Sequence, residues 1–312
     1  MPVGVAVAGL GEIGRLHARN LAASVAHARL VRVVDQVAEL AHELGTELEA
    51  AWSTSYEDAL TDPGVEAVVI ATPTPLHARM VSACARAAKH CLCEKPVSLD
   101  ERGGLEATAA MRRARRLLQV GFQRRFDRDW LSAKQLIDAG EIGEPRLLRI
   151  SHRNRAHPHG GSSERLGSLF VDMSVHDMDS ARWLVGEVAE VTARGDDDGA
   201  VVLLRFERGA LGVVDLTRSA GYGFDCNAEV VGSAATLRIG ANPRAGVERL
   251  TAEGSIGTLP QDHIERHRAA YLAEIEHFVE CVGSGRAPCV GGEDAVAALG
   301  LALAAERSCV SR

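Results

Sequence analysis

No stretch of this 312-residue chain approaches the roughly 18 to 20 consecutive apolar residues of a membrane span, which argues against a helical membrane protein. The first ten residues are apolar but have no charged leader segment and run straight into a glycine turn, so they do not read as a signal peptide. Positive charge is also scarce. Thirty-five Lys and Arg against 42 Asp and Glu leave a formal charge of -7, which argues against a nucleic-acid partner, whose phosphates call for a basic face. The one dense basic run, Arg112, Arg113, Arg115 and Arg116, precedes an apolar strand-like stretch and reads as a solvated helix face. Cysteine has no pattern. Cys91 and Cys93 alternate as strand residues do, and Cys84, Cys226, Cys281, Cys289 and Cys309 are scattered. An odd, unspaced set suits reduced thiols in a cytoplasm, not a disulfide framework or a zinc site. There is no internal repeat, and the one low-complexity patch is the acidic turn Asp196-Asp197-Asp198.

What is present is the balance of an ordinary globular protein, 46% apolar and 25% charged. Residues 1–121 alternate short valine-rich runs (3–8, 30–34, 67–71, 90–93 and 117–120) with helix-like segments. Strands that are apolar on both faces and separated by helices indicate a parallel sheet covered on both sides, a doubly wound α/β domain. After Gly121 the texture changes. A helix at 130–139 and a strand at 145–152 precede a loop over 153–167, and a second helix covers 172–184. Strand candidates then follow at 188–194, 200–207, 210–217, 227–231 and 236–239, with glycine-containing turns that suggest antiparallel neighbours. Helices at 265–282 and 293–309 close the chain. The expected organisation is a doubly wound domain over 1–121 and an α+β domain with an open, mainly antiparallel sheet over 122–312.

The first strand leads into Gly9-Leu10-Gly11-Glu12-Ile13-Gly14, where a helix begins. In a dinucleotide fold the first glycine permits the tight turn, the second lets backbone approach a pyrophosphate, and the third lets helix and sheet pack closely. The helix start then offers unpaired N–H groups to the phosphates, with Glu12 and Ile13 in its first turn. Asp35 ends the second strand, placed to accept hydrogen bonds from a ribose diol. Its charge would repel a 2′-phosphate and the next residue is Gln36, not an arginine, so NAD is favoured over NADP.

Two later segments, Ala71-Thr72-Pro73-Thr74-Pro75-Leu76-His77 and Cys93-Glu94-Lys95-Pro96, also follow buried-looking strands. Here the chain resembles the glucose-fructose oxidoreductase and inositol dehydrogenase family. The likeness continues through 121–127, through Phe170-Val171-Asp172-Met173-Ser174-Val175-His176-Asp177-Met178-Asp179, and into the closing helix with Tyr271, Glu274 and Phe278. It implies cofactor contacts from Thr72, Pro73, His77 and Glu94, and Lys95 beside both the nicotinamide and the reacting hydroxyl. It further implies a substrate cleft between two domains and a homotetramer built through the outer sheet faces. Helical spacing agrees with the catalytic part: at 100° per residue Asp172, His176 and Asp179 fall within about 60° of one another, while Asp177 points away.

The expected chemistry is NAD-dependent oxidation of a secondary alcohol of a cyclic polyol. His176 serves as general base, Asp172 holds and polarises it, and Lys95 stabilises the developing oxyanion. Asn154, Asp179 and Tyr222 are the candidate substrate contacts beside these three. Myo-inositol, oxidised to its 2-ketone, is the first expected substrate, with scyllo-inositol or a pyranose sugar as alternatives. A non-catalytic dinucleotide sensor is the rival from another class, and the joint presence of Lys95, Asp172 and His176 counts against it. The loop from Ser151 to His159 departs from the family pattern: Arg153-Asn154-Arg155 stands where an Arg-Asp-Pro stretch is typical, which bears on which polyol is accepted. His157 and His159 have no acidic or cysteine partner nearby in sequence, so no metal is expected.

Overall fold

A computed structural model describes residues 2–155, 168–240, 248–251, 254–257 and 260–310. The expected loop histidines His157 and His159 lie outside the described residues. The chain divides into two compact units, 1–123 with 269–299, and 124–268 with 300–312.

The first unit is built on β1 (Val3–Ala8), β2 (Ala28–Val34), β3 (Ala51–Ser53), β4 (Ala67–Ile70), β5 (His90–Glu94) and β6 (Leu118–Gly121), in the order β3-β2-β1-β4-β5-β6. Every pairing in it is parallel. Helices α1 (Glu12–Ala23), α2 (Ala38–Glu47), α3 (Tyr56–Thr61), α4 (His77–Arg86) and α5 (Glu101–Arg113) connect the strands. All residues of β1 and β4 are buried, as a sheet covered on both faces requires. This is the Rossmann order, and its direction reverses between β1 and β4, the point at which such sheets present a ligand crevice beyond their strand ends.

The second unit holds α6 (Arg128–Asp138), β7 (Pro145–Arg155), α7 (Val175–Val185), β8 (Val188–Gly195), β9 (Gly199–Phe206), β10 (Leu211–Ala220), β11 (Asp225–Gly232) and β12 (Thr236–Ile239). Its sheet runs β12-β11-β7-β10-β9-β8. Four pairings are antiparallel, and β7 with β10 is parallel. A small hairpin joins β13 (Glu248–Thr251) and β14 (Gly254–Gly257). Burial alternates along β9 and β10, leaving Val201, Leu203 and Leu211 exposed on one face.

Two helices close the chain, α8 (His263–Ser284), kinked at His267, and α9 (Gly292–Val310). The expected division at 121/122 places all of α8 in the second unit. Instead its part from residue 269 onward belongs to the first, where Ile275, Phe278 and Val279 join Val5, Val7, Leu10 and Leu92 in one buried cluster. Fully burying such side chains is worth about 1.5–3 kcal/mol each, so the first unit draws part of its core from near the end of the chain. Among the described residues, no helix is long and apolar enough to cross a membrane. All seven cysteines are free thiols.

Candidate active site

In the first unit, Gly9 turns out of β1 at φ +89, and a Cβ there would stand 2.5 Å from the Ala71 carbonyl oxygen. A side chain at Gly14 would meet the Gly9 carbonyl oxygen at 1.8 Å. Gly11 differs: among the described residues, nothing lies within 4 Å of where its Cβ would be. The protein itself therefore places no steric demand at Gly11, which fits backbone that must lie open to an approaching phosphate. Gly11 is the N-cap of α1 and supplies no side-chain acceptor to the helix. The first-turn N–H groups thus have no side-chain cap, with Glu12 exposed and Ile13 half-buried beside them.

Asp35 is held by backbone. Its Oδ2 accepts the Leu10 N–H (2.8 Å) and its Oδ1 accepts the Val37 N–H (2.9 Å). The carboxylate keeps lone pairs for further donors such as a ribose diol. It borders a cavity of about 440 Å³ that is also lined by Gly9, Gln36, Thr72 and Pro73. Tyr56, Arg79, Met80 and Arg86 line the cavity too. None of these four carried a sequence signal, because helix and loop residues reach the crevice only once the sheet order is known. Tyr56 donates its O–H to the Met80 carbonyl (3.2 Å). Burial pushes its phenol well above the usual range, so it stays neutral.

His77 does something other than expected. It is buried and is not among the cavity-lining residues. Its Nδ1 lies 2.7 Å from the Pro96 carbonyl and its Nε2 2.6 Å from the Thr72 carbonyl. Burial lowers its pKa even though both carbonyls pull the other way. The ring lies between the Ala-Thr-Pro and Glu-Lys-Pro segments, and in its neutral form its single N–H can bond only one of the two carbonyls. The expectation of a cofactor contact is corrected to a clamp between the two loops that carry Thr72 and Lys95.

Glu94 ends β5 with its carboxylate turned inward, Oε1 lying 2.9 Å from His17 Nε2. It too is absent from the cavity lining and serves as a buried anchor. Lys95 follows at once and is half-buried. Gly9, Thr72 and Lys95 thus follow the C-terminal ends of β1, β4 and β5, three strands adjacent in the sheet.

In the second unit a π-helical turn, Phe170–Ser174, leads into α7. Asp172 lies in that turn and His176 at the start of α7. The 100° step therefore does not hold between them, because a π turn closes through i→i+5 bonds. Asp172 accepts a hydrogen bond from Arg218 (3.3 Å), a partner that sequence spacing did not point to. The His176 ring lies edge-on to that of His152, with centroids 6.5 Å apart.

Two ion pairs brace this helix from beneath. Arg124 reaches Asp177 at 2.6 Å, and His152 approaches the other carboxylate oxygen at 3.1 Å. Burial works to raise the Asp177 pKa, but Arg124 and His152 outweigh it and hold the carboxyl below the usual range. Arg125 grips Asp179 through two bonds, Nε to Oδ2 (3.0 Å) and an outer nitrogen to Oδ1 (2.7 Å). Asp179 is 1% exposed. Its expected role as a substrate contact competes with this pairing, because the buried carboxylate is already gripped by a bidentate arginine.

Asn154 is half-buried near the end of β7. Arg153 beside it pairs with Asp215 on β10, so this cation braces the sheet. Arg155 donates to Gln261 (2.8 Å). Tyr222 is 53% exposed, its hydroxyl 3.4 Å from Asp225.

Residues 3–122 match the family model described as "Oxidoreductase family, NAD-binding Rossmann fold", and residues 130–238 match the GFO/IDH/MocA C-terminal domain. The chain is 39% identical to a myo-inositol 2-dehydrogenase of Thermotoga maritima, covering 97% of this chain and 95% of that protein. It is 37% identical to a scyllo-inositol 2-dehydrogenase (NAD(+)) of Bacillus subtilis, covering 97% and 93%. Among solved structures, scyllo-inositol dehydrogenase from Lactobacillus casei with bound NAD(H) and scyllo-inositol superposes with a TM-score of 0.93. The identity there is 27%, with 99% of this chain and 97% of that one covered.

Proposed function

This chain belongs to the GFO/IDH/MocA oxidoreductase family, and from that premise we propose that it oxidises a secondary hydroxyl of a cyclic polyol with NAD. Myo-inositol, converted to the 2-ketone, is the first substrate of this reading, and scyllo-inositol the second, since relatives of both names are similarly close. The observation that supports it is the crevice beyond the adjacent strands β1 and β4, where Gly9 and Thr72 border the carboxylate of Asp35, with Lys95 following the neighbouring strand β5. A cation thus follows the strand next to those that border the dinucleotide crevice.

NAD, when bound at the Gly9–Gly14 turn, supplies the acceptor for the hydride that leaves the carbinol carbon. The protein manages the proton and the charge. His176 takes the hydroxyl proton as the C–O bond becomes a carbonyl, which is worth roughly 10²–10⁴-fold for a well-placed base. Asp172, itself held by Arg218, favours the protonated imidazole that results. Lys95 donates to the reacting oxygen and stabilises the negative charge that develops there. Asn154 and Tyr222 are the proposed contacts to neighbouring hydroxyls. The seven free thiols suit a reducing cytoplasm. The exposed apolar face of β9 and β10 is the proposed tetramer interface.

The test is NAD reduction by the purified protein with inositol isomers and simple sugars. We expect turnover of at least one inositol, and a loss of kcat of roughly 10²–10⁴-fold in His176→Ala and in Lys95→Ala. Near-normal turnover in both variants rejects the mechanism. Dinucleotide binding with no turnover of any polyol favours a sensor instead.

A further inference from the structure

Beneath the strand that delivers Lys95 lies a buried cluster that the proposed chemistry does not use. A ring nitrogen of His17 and carboxylate oxygens of Glu94 and Glu274 all lie within 4.8 Å of one another. All three residues belong to the first unit. His17 and Glu274 are 0% exposed. The Glu274 backbone carbonyl accepts a bond from the Gln119 side chain (2.9 Å), which ties it to β6. Gly121, also on β6, packs so closely that a Cβ there would meet Glu94 Oε2 at 2.7 Å. The Tyr271 ring stands edge-on to His17, with centroids 6.0 Å apart.

Two carboxylates this close and this deep do not both ionise, since their charges would face each other at low local dielectric. The division between them can be read from their partners. Glu94 has His17 at 2.9 Å, a hydrogen-bond distance. Among the described residues, neither carboxylate oxygen of Glu274 has a hydrogen-bond partner, although both are buried. An anion at Glu274 would be uncompensated, whereas the neutral acid carries an O–H that can be turned toward the carboxylate of Glu94, an oxygen of which lies within 4.8 Å of its own. Burial first, and the Glu94 charge second, push the Glu274 pKa well above the carboxylate range. Among the described residues, the buried Nδ1 of His17 is also without a partner. A divalent cation fits less well. Metal–ligand lengths of about 2.0–2.2 Å in tetrahedral geometry hold donor atoms more than about 3 Å apart, and His17 and Glu94 are closer than that.

We propose that Glu274 is a positioning residue, held as the neutral carboxylic acid, whose proton is donated to Glu94 and so fixes, together with His17, the strand end that carries Lys95. Its catalytic consequence rests on the reading of Lys95 as the group that faces the reacting oxygen; the proton itself does not.

The experiment uses the full-length protein at neutral pH. The infrared difference spectrum of wild type against Glu274→Gln should contain a protonated-carboxyl C=O stretch that shifts in heavy water. Glu274→Gln, whose amide N–H can donate to Glu94 from the same place, should keep kcat within about threefold. Glu274→Leu, similar in size but unable to donate, should lose at least about tenfold in kcat while NAD affinity, read by fluorescence titration, changes little. Absence of the protonated-carboxyl band overturns the proposal, as does a stoichiometric divalent metal in the purified wild type. Full kcat in Glu274→Leu, or equal losses in both variants, overturns the positioning role. If Glu274→Leu does not fold, the spectrum and the Gln variant still decide. If wild type oxidises no polyol, the functional reading fails and the infrared band still settles the proton.

Discussion

Gly11 and Gly14 sit three residues apart in one turn, yet they answer to different demands. A methyl at Gly14 has to displace the Gly9 carbonyl, whereas one at Gly11 enters open space. Gly14→Ala should therefore destabilise the fold by about 1–3 kcal/mol, the usual cost of overpacking. Gly11→Ala should leave the unfolding midpoint nearly unchanged and weaken NAD binding by about tenfold or more. Urea denaturation and fluorescence titration of the two variants check this, and equal effects on both quantities would contradict it. The glycine pattern was legible because each glycine answers to a local backbone requirement. His77 and Asp179 were not. A histidine after Thr-Pro and an acid one turn from a candidate base both look available in a sequence. Their real partners, two backbone carbonyls and the Arg125 fork, come from segments 5 to 54 positions away.

Helix ends were legible to within a few residues, since apolar periodicity and glycine breaks are local. The exceptions are a π turn at Phe170–Ser174 and a kink at His267. Neither has a proline to announce it. At the kink, His267 packs its Nδ1 3.2 Å from Asp127, which also pairs with Arg266 at 2.8 Å. Burial, aided by Arg266 and Arg124 and opposed by Asp127, lowers the His267 pKa to about 4. The unfolded chain takes up this proton near pH 6.5 and the folded one only near 4, so acidification favours unfolding across that window. Stability present above pH 6.5 should fall by about 3 kcal/mol on reaching pH 4. Asp127, held down to about 2 mainly by its bonds to His267 and Arg266 against the opposing pull of burial, extends the loss below its ordinary range as it too is protonated. Urea midpoints measured from pH 7 to 4 should drop steeply in wild type and less in His267→Gln; parallel slopes would remove His267 as the cause. The sheet of the second unit shows the same limit. Glycine turns correctly marked β8 to β10 as antiparallel neighbours, but the parallel pairing of β7 with β10 joins strands that are not consecutive. The short edge strand β3 passed unseen because three residues carry no period.

At the scale of the whole molecule, two features go beyond any single element. One is the face of β9 and β10 that leaves Leu203 53% and Leu211 54% exposed, with Val201 beside them. If this face joins copies of the chain, Leu203→Glu with Leu211→Glu should convert the assembly to smaller species in analytical ultracentrifugation with the far-ultraviolet spectrum unchanged. A wild type that sediments as a monomer would dismiss the tetramer. The other is the return of α8 to the first unit, where Phe278 and Ile275 complete the core beneath β1 and Glu274 reaches the carboxylate of Glu94. The sequence by itself determined the parallel sheet, the dinucleotide turn, the acid at Asp35 and the family, because each rests on short-range spacing or on motifs read in order. Only the tertiary structure decided which charges are already spent on one another and which helix finishes which core. Those outcomes depend on groups far apart in the chain meeting where water is excluded, and there a partner's presence or absence sets both the charge of a side chain and its use.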